Sequence, residues 1–288
     1  MKNNHNELSS GNDSTNVQGR DHVTLNQTNN YGVLAGEARQ IAMDVFKANF
    51  FELSQNAHEI ALRRAEELTD QLIEKLKNEK QSILEEIKNP DMQYAIFEAQ
   101  KSYVRLGDKE LMDLLVDLLV KRTTEQNNTF FKLTLNEALT VIPKLTKKQI
   151  DILSVIYMIK YLNYNVPIQF IHYYQTAKHF LDGTIDIPEN QIFYQHLQYS
   201  GCISISIGSL SFKDALVHKL PYVFSGDADK KLLEITVDHP EMIHLERKWD
   251  NTKLCNSSLT SVGIIIAMIN INKKLGYNWD LKMWINEE

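Results

Sequence analysis

Apolar and polar residues follow a helical period along residues 37–89, a stretch without glycine or proline. Apolar side chains recur there at steps of three and four, which places them on one face of a helix. That face consists of Ile41, Val45, Phe46, Phe50, Leu53, Ala57, Ala61, Ala65, Leu68, Leu72 and Leu76. One helix of this length would extend about 80 Å. The pattern therefore predicts a helix that protrudes, pairs with a second copy, or breaks once.

Residues 1–36 contrast with that stretch because they are polar and rich in glycine, asparagine, serine and threonine. Val23 and Leu25 alternate with polar residues, which is the period of a β-strand. Short isolated strands are marginal in water and become stable by pairing with other strands. Two interpretations stay open: a disordered tail, or a β-forming tip that joins copies of the chain.

Residues 91–182 show a repeated helical pattern with clear start and stop signals. Asp91 is the expected cap of the first helix and Gly107 its stop. Thr146 and Gln149 have the spacing of a capping box. The helices are expected over residues 92–105, 110–122, 130–142, 150–161 and 168–181.

Residues 183–288 change character and mix helix with short strands. The pattern predicts a helix over residues 191–199 and strands over 202–207 and 222–224. A polar, charged linker is expected over 226–256 and a final apolar helix over 259–271. The order of helix, turn, two short strands and helix resembles a winged helix.

The predicted fold is therefore mainly α, with a small winged-helix-like α+β C-terminal part. It has four parts, which cover residues 1–36 (leader), 37–90 (long amphipathic helix), 91–182 (helical core) and 183–288 (C-terminal part).

The composition and charge of the chain argue against several classes of protein. The 288 residues are 43% hydrophobic and 24% charged, as in ordinary globular proteins. A formal net charge of -6 argues against a general electrostatic grip on nucleic acid. Two cysteines, Cys202 and Cys255, are too few for a disulfide framework or a zinc ribbon, and they fit a reducing cytoplasm. The N-terminal residues lack the apolar core of a signal peptide, and no apolar run reaches the length of about 20 residues that spans a bilayer.

Motifs of known chemistry are absent: the chain has no GxxxxGK[ST], GxGxxG, GxSxG or HExxH. His239 and His244 lie among acidic residues and can hold a metal, but Pro240 interrupts the local helix and favours a solvated linker. His172 and His179 share a helical face, where packing in the core is the expected role.

The carboxylates of Asp108, Glu110, Asp113 and Asp117 lie close together in the sequence. They can form an acidic, metal-binding face, or Asp108 and Glu110 can complement the positive end of a helix, which is the commoner role. The helix over 191–199 carries glutamine and histidine but no cation, so it does not resemble a DNA-recognition helix. The winged part is therefore predicted to bind protein or to serve a structural role.

Three stretches carry a family resemblance: residues 41–76, YVRLGDKELMDLLVDLLVKRT at 103–123 and LNEALTVIPKLTKKQIDILSVIY at 135–157. With YSGCISISIGS at 199–209 and LTSVGIIIAMINI at 259–271, they resemble an uncharacterised family of bacterial proteins with a Gly/Asn-rich leader. Residues 113–119 and 143–153 are also loosely similar to Abi-alpha type abortive-infection proteins. These resemblances imply phage defence or a stress response, and they supply no catalytic residue.

The leading hypothesis is a non-enzymatic antiphage-defence component, without cofactor or metal, that self-assembles in the cytoplasm and senses or binds a phage-encoded or host protein. Nucleic acid is not an expected partner, and a membrane is one only after activation. Packing or self-association is assigned to Val23, Leu25, Phe50, Phe51, Ala57, Ala61, Leu68, Leu72 and Leu76. Two alternatives remain: an effector that disrupts membranes through its amphipathic helix, and a metal-dependent hydrolase built on Asp108, Asp113 and Asp117.

Overall fold

The structure is a computed structural model that describes residues 34–49, 55–77, 81–125, 129–162 and 187–281. Within these ranges it contains twelve α-helices, two short 3-10 helices and one two-stranded antiparallel sheet. The predicted class, mainly α with a small α+β C-terminal part, is confirmed. The predicted helix over 168–181, with His172 and His179, lies outside the described residues.

The elements are numbered in chain order. The α-helices are α1 (Ala35–Asn49), α2 (Gln55–Leu76), α3 (Gln81–Glu85), α4 (Pro90–Leu106), α5 (Lys109–Thr124), α6 (Thr129–Val141), α7 (Lys147–Lys160), α8 (Gln191–Tyr199), α9 (Phe212–Lys219), α10 (Ala228–Asp238), α11 (Glu241–Asn251) and α12 (Ser261–Leu275). The 3-10 helices cover Glu86–Lys88 and Ile142–Lys144, and the strands are β1 (Ile203–Ile205) and β2 (Ser257–Leu259).

The long amphipathic stretch forms separate helices rather than one rod. Helix α1 packs against α2, and both pack against α4. The Arg39 Nε atom lies 2.6 Å from Asp70 Oδ1, and Thr69 Oγ1 lies 3.5 Å from Met43 Sδ, so the two helices run antiparallel. This hairpin covers the apolar face of α2 with other helices of the same chain. Phe50 and Phe51 lie between α1 and α2, outside the described residues.

Helix α4 begins and ends at polar signals, one of which differs from expectation. The cap is Asn89, whose Oδ1 accepts a hydrogen bond of 3.0 Å from the Asp91 backbone N–H. Asp91 does not cap the helix, because Pro90 occupies the first helical position and moves the cap one residue earlier. Gly107 ends the helix as predicted, with a φ of 68° that favours glycine. Over Gly107 lies Arg64, which donates a 2.7 Å hydrogen bond to the Val104 carbonyl.

Helices α7 and α12 form the centre of the core. The predicted capping box of Thr146 and Gln149 begins α7. Between the two helices, Asn270 Nδ2 donates to Asp151 Oδ1 at 3.0 Å and to Ser154 Oγ at 2.9 Å. Because buried amides need partners, these two hydrogen bonds align α12 along α7.

The C-terminal part differs from the predicted order. Strand β1 pairs with β2, with Ile203 opposite Leu259, and three helices separate the strands along the chain. The second strand is therefore not at residues 222–224, which form turns, and the stretch 226–256 is not a linker, because α10 and α11 occupy most of it. These helices have enough apolar residues to bury one face each, including Leu232 and Trp249.

One cluster of buried apolar side chains runs from Ala38 to Leu281 and includes residues of the predicted long helix, the helical core and the C-terminal part. A second, smaller cluster consists of Met43, Phe46, Ala61, Ala65 and Val104. By contacts the chain divides after residue 32, so both clusters lie in the same compact unit.

Candidate functional site

The three carboxylates proposed as a metal face each have their own partner. Asp108 caps α5, accepting hydrogen bonds of 2.9 and 3.3 Å from the backbone of Glu110 and Leu111. Asp113 pairs with Lys273 at 2.8 Å, and Asp117 pairs with Lys75 at 2.5 Å. Across the described ranges, no group of three or more His, Cys, Asp or Glu residues could hold a metal ion. The structure therefore does not bring these carboxylates together around a shared point.

A cleft of about 490 Å³ lies beside two of these carboxylates, lined by residues from the start of α5, the turn before α7 and the end of α12. Three lysines in it face three carboxylates. Lys147 pairs with Glu110 at 2.7 Å, Lys273 with Asp113, and Lys274 with Asp151. Each of these lysines pairs with a carboxylate on a different helix. The three ion pairs therefore link α5, α7 and α12, and we call them the polar seam.

The pKa values in the cleft follow these contacts. The hydrogen bond to Glu110 raises the pKa of Lys147. Burial alone would raise the pKa of Asp113, but hydrogen bonds from Gln71 and Lys273 outweigh burial and lower it. Both shifts favour the charged forms, so the ion pairs persist near neutral pH.

In the described part of the chain, His239 and His244 belong to no group of residues that could hold a metal ion. His239 follows the last residue of α10, and His244 is exposed on α11. Pro240 separates the two helices, as the sequence indicated.

The residues assigned to packing or self-association fall into two groups. Ala61, Leu68, Leu72 and Leu76 are buried in the core of a single copy, and Ala57 is half-buried. The structure thus gives the four buried residues a packing role, and self-association through them stays a prediction. The remaining four, Val23, Leu25, Phe50 and Phe51, lie outside the described residues.

Two helices of the C-terminal part carry apolar side chains on their outer faces. On α8, Ile192 is 68% exposed and Tyr199 is 91% exposed, while Tyr194 and Leu197 are buried. Two residues beyond β1, Ile207 is fully exposed. Helix α8 packs against β1, the strand after which Ile207 follows. We call Ile192, Tyr199 and Ile207 the α8 surface.

The second such helix is α10, which lies inside the stretch that the sequence indicated as a linker. Leu233 and Val237 are 67% and 72% exposed, and they lie one turn apart. The sequence signal was present: apolar residues at 232 and 235 form one stripe and those at 233 and 237 a second. Helix α6 also exposes apolar side chains, Phe130 and Leu133.

Sequence reasoning also missed a half-buried lysine at the end of α7. Lys160 Nζ donates to the carbonyls of Cys255 and Ser257 at 2.9 and 2.7 Å, and it lies 5.4 Å from the centre of the Trp249 ring. Burial lowers the pKa of Lys160. The lysine therefore fastens the segment around β2 to α7, a role that two carbonyl acceptors and an aromatic face explain.

The cysteines behave as core residues. Cys202 and Cys255 are free and buried. Burial raises the pKa of the Cys202 thiol to about 12, so the thiolate is scarce at neutral pH. Cys202 therefore has a packing role in the core.

No described helix combines the length and apolar content that a bilayer-spanning segment needs. A protein-family model whose description names no activity matches residues 32–239 and 232–285. No curated protein and no solved structure matches the chain. Since the two matched stretches together cover most of the chain, it belongs to this uncharacterised family.

Proposed function

We propose that this chain is a non-enzymatic, self-assembling component of bacterial antiphage defence that acts in the cytoplasm by binding a phage-encoded or host protein. The observation that carries the binding part is the α8 surface, where Ile192, Tyr199 and Ile207 are exposed although the chain has a large core. The loose similarity of residues 113–119 and 143–153 to Abi-alpha type proteins supports the defence part.

The α8 surface has the features of a protein-binding face. Ile192 and Tyr199 lie seven residues apart and therefore on the same side of the helix. Exposed tyrosines are frequent energetic anchors of interfaces, since they bury a large ring and keep a polar hydroxyl at the rim. Polar residues flank these anchors on α8, among them the exposed Gln195. A protein with a complementary apolar groove fits this surface.

Phage plating tests the binding part. Cells carrying the wild-type gene are challenged with a panel of phages, beside cells carrying Ile192→Glu with Tyr199→Glu and cells carrying Gln198→Glu as a control on the same helix. We expect protection that the double variant loses and the control keeps. Equal plating on all strains, including cells without the gene, would contradict the defence role, and protection by the double variant would contradict the α8 surface.

The assembly part rests on the leader, where the alternation of Val23 and Leu25 favours strands that need partners from other chains. Light scattering of the full chain measures it, with Val23→Asp and Leu25→Asp together as the variant and Asn26→Asp as the control. A discrete oligomer that the variant loses and the control keeps would support assembly. A monomeric wild-type chain would contradict it.

The membrane alternative requires a larger change of structure. The face that would enter a bilayer includes Leu68, Leu72 and Leu76, which are buried against other helices. Helix α2 would have to leave the core and give up that burial, at about 1.5–3 kcal/mol for each such side chain. Leakage of dye from anionic liposomes distinguishes this alternative, because the proposal predicts none.

A further inference from the structure

Helix α10 has two faces of different exposure. Leu232, Ile235 and Thr236 are buried, whereas Leu233 and Val237 on the other side are mostly exposed. Exposed leucine and valine one turn apart form an apolar stripe along the helix. Among the described residues of a single copy, none buries this stripe in the core.

Charges of opposite sign flank the stripe. Lys230 lies near the start of α10 and Asp238 at its end, and both are exposed. Within the described part of the chain, neither side chain takes part in an ion pair, whereas the neighbouring Lys231 pairs with Glu234 at 3.1 Å. Lys230 lies on the same side of α10 as Leu233 and Val237, whereas Asp238 lies about 100° further around the helix than Val237, on the flank of that side. The exposed Glu234 near this side is paired with Lys231.

We propose that this face is a contact between two copies of the chain, with the two α10 helices antiparallel about a twofold axis. In such a contact residue i meets residue j of the second copy, and j meets i. With the axis between residues 234 and 235, Leu233 would meet Val237 of the second copy with an offset of about 1.5 Å along the helix. The same axis brings Lys230 to Asp238 of the second copy with an offset of about 1.5 Å.

The sign of the charges selects this arrangement. A parallel pair would place Lys230 beside Lys230 and Asp238 beside Asp238, and it would align the two helix dipoles in the same direction. The antiparallel pair replaces both repulsions by attractions while it covers the same apolar residues. The exposed apolar residues and the charges beside them therefore fit a second copy of this chain in the antiparallel orientation. The inference rests on the self-assembly in the proposed function and adds a contact outside the leader.

Charge reversal tests the contact on the full chain. Sedimentation velocity over a concentration series measures association of the wild type, of Lys230→Glu, of Asp238→Lys, and of the two variants mixed in equal amounts. Arg105→Glu on the exposed side of α4 is the control for the change of net charge. Each single variant places like charges together twice in a homodimer, so we expect dissociation about tenfold stronger, on the scale of surface ion pairs. In the mixture each of the two contacts again joins a carboxylate of one variant to an ammonium group of the other, so association should return to the wild-type level.

Other results would overturn the inference in distinguishable ways. If both variants associate like the wild type and Leu233→Glu with Val237→Glu does too, assembly stands and the α10 contact is wrong. If the single variants weaken association and the mixture fails to restore it, the antiparallel pairing is wrong. A wild-type chain that is monomeric at every concentration would overturn the contact together with the assembly part of the proposed function. If Arg105→Glu weakens association as much as Lys230→Glu does, the effect comes from the change of net charge, and the contact is overturned.

Discussion

Helices α2 and α10 are both amphipathic, yet the chain treats their apolar residues in opposite ways. The stripe of α2 is buried by α1, α4 and α5, and Leu72 at its centre is fully buried. Helix α10 buries Leu232 and Ile235 but leaves Leu233 and Val237 outside. An apolar stripe on a helix therefore predicts that its residues become buried, but it does not indicate whether the same chain or a second copy buries them.

The largest expected effect is a difference in stability between a variant in the α2 stripe and a variant in the α10 stripe. Leu72→Ala should lower the free energy of unfolding by about 2–5 kcal/mol, because it removes buried methyl groups and leaves a cavity. Leu233→Ala should change it by no more than about 0.5 kcal/mol, because that side chain is exposed. Urea denaturation at a low protein concentration measures both. Similar losses for the two variants would contradict the assignment of one stripe to the core and the other to the surface.

A close approach between β1 and α12 gives the next effect. A Cβ atom at Gly263 would overlap the Cys202 carbonyl oxygen and lie 3.0 Å from the Cys202 carbonyl carbon, so backbone must move. Gly263→Ala should therefore destabilise the chain by about 1–3 kcal/mol. Gly208→Ala is the matched control, since no atom lies within 4 Å of its Cβ position. Thermal unfolding compares the two, and equal midpoints would show that α12 does not pack this closely.

Alkaline pH distinguishes a buried tyrosine of α8 from an exposed one. Burial raises the pKa of Tyr194 to about 12, whereas an unfolded tyrosine titrates near 10. Above pH 10 the unfolded chain releases this proton before the folded chain does, so stability from Tyr194 is complete below pH 10 and is lost as the pH rises toward 12. Cys202 acts with the same sign, and the lowered pKa of Lys160 acts with the opposite sign.

Comparing variants isolates the tyrosine from the other groups. Tyr194→Phe should flatten the fall of unfolding free energy above pH 10, although it also removes the hydrogen bond of 2.8 Å to the Pro188 carbonyl. Tyr199→Phe, at a ring that is 91% exposed, should leave the profile unchanged. Denaturation at several pH values up to 11 measures the slopes. Parallel profiles for the two variants would rule out the effect of burial.

The smallest effect concerns the polar seam of the cleft. The Lys147 and Glu110 side chains are both more than half exposed, so Lys147→Met should change stability by about 0.5 kcal/mol or less. Lys274→Met should cost more, because Asp151 is nearly buried and loses a cation. Urea denaturation ranks the two. The reverse order would mean that the outer pair between α5 and α7 stabilises the chain more than the inner pair between α7 and α12.

The sequence predicted the fold class and most helices of the described core, because capping residues and helical periods are local signals. Thr146 with Gln149 and the stop at Gly107 act within one turn of the chain. The hairpin of α1 and α2 could not be derived in the same way, since residues 37–89 contain no glycine or proline to mark a break. Contacts distant in sequence, such as Arg39 with Asp70, decide it.

The surface was harder to predict than the core. The 226–256 stretch resembled a linker because it contains many charged residues. Its two apolar stripes were not recognised, so Leu233 and Val237 were missed. Asp108, Asp113 and Asp117 form a group in sequence, but Asp108 caps its own helix. The partners of Asp113 and Asp117, which are Gln71, Lys273 and Lys75, come from other helices. Local spacing does not reveal such partners, so sequence alone overstated the case for a metal face.

The most direct test of the central claim is hydrogen–deuterium exchange of the full chain at a low and a high protein concentration. We expect backbone amides of α2 to exchange slowly and equally in both samples, because the helices that cover α2 belong to the same chain. Amides of α10 should exchange more slowly at the high concentration, where a second copy covers Leu233 and Val237. Exchange in α10 that does not depend on concentration, or exchange in α2 that does, would contradict the account.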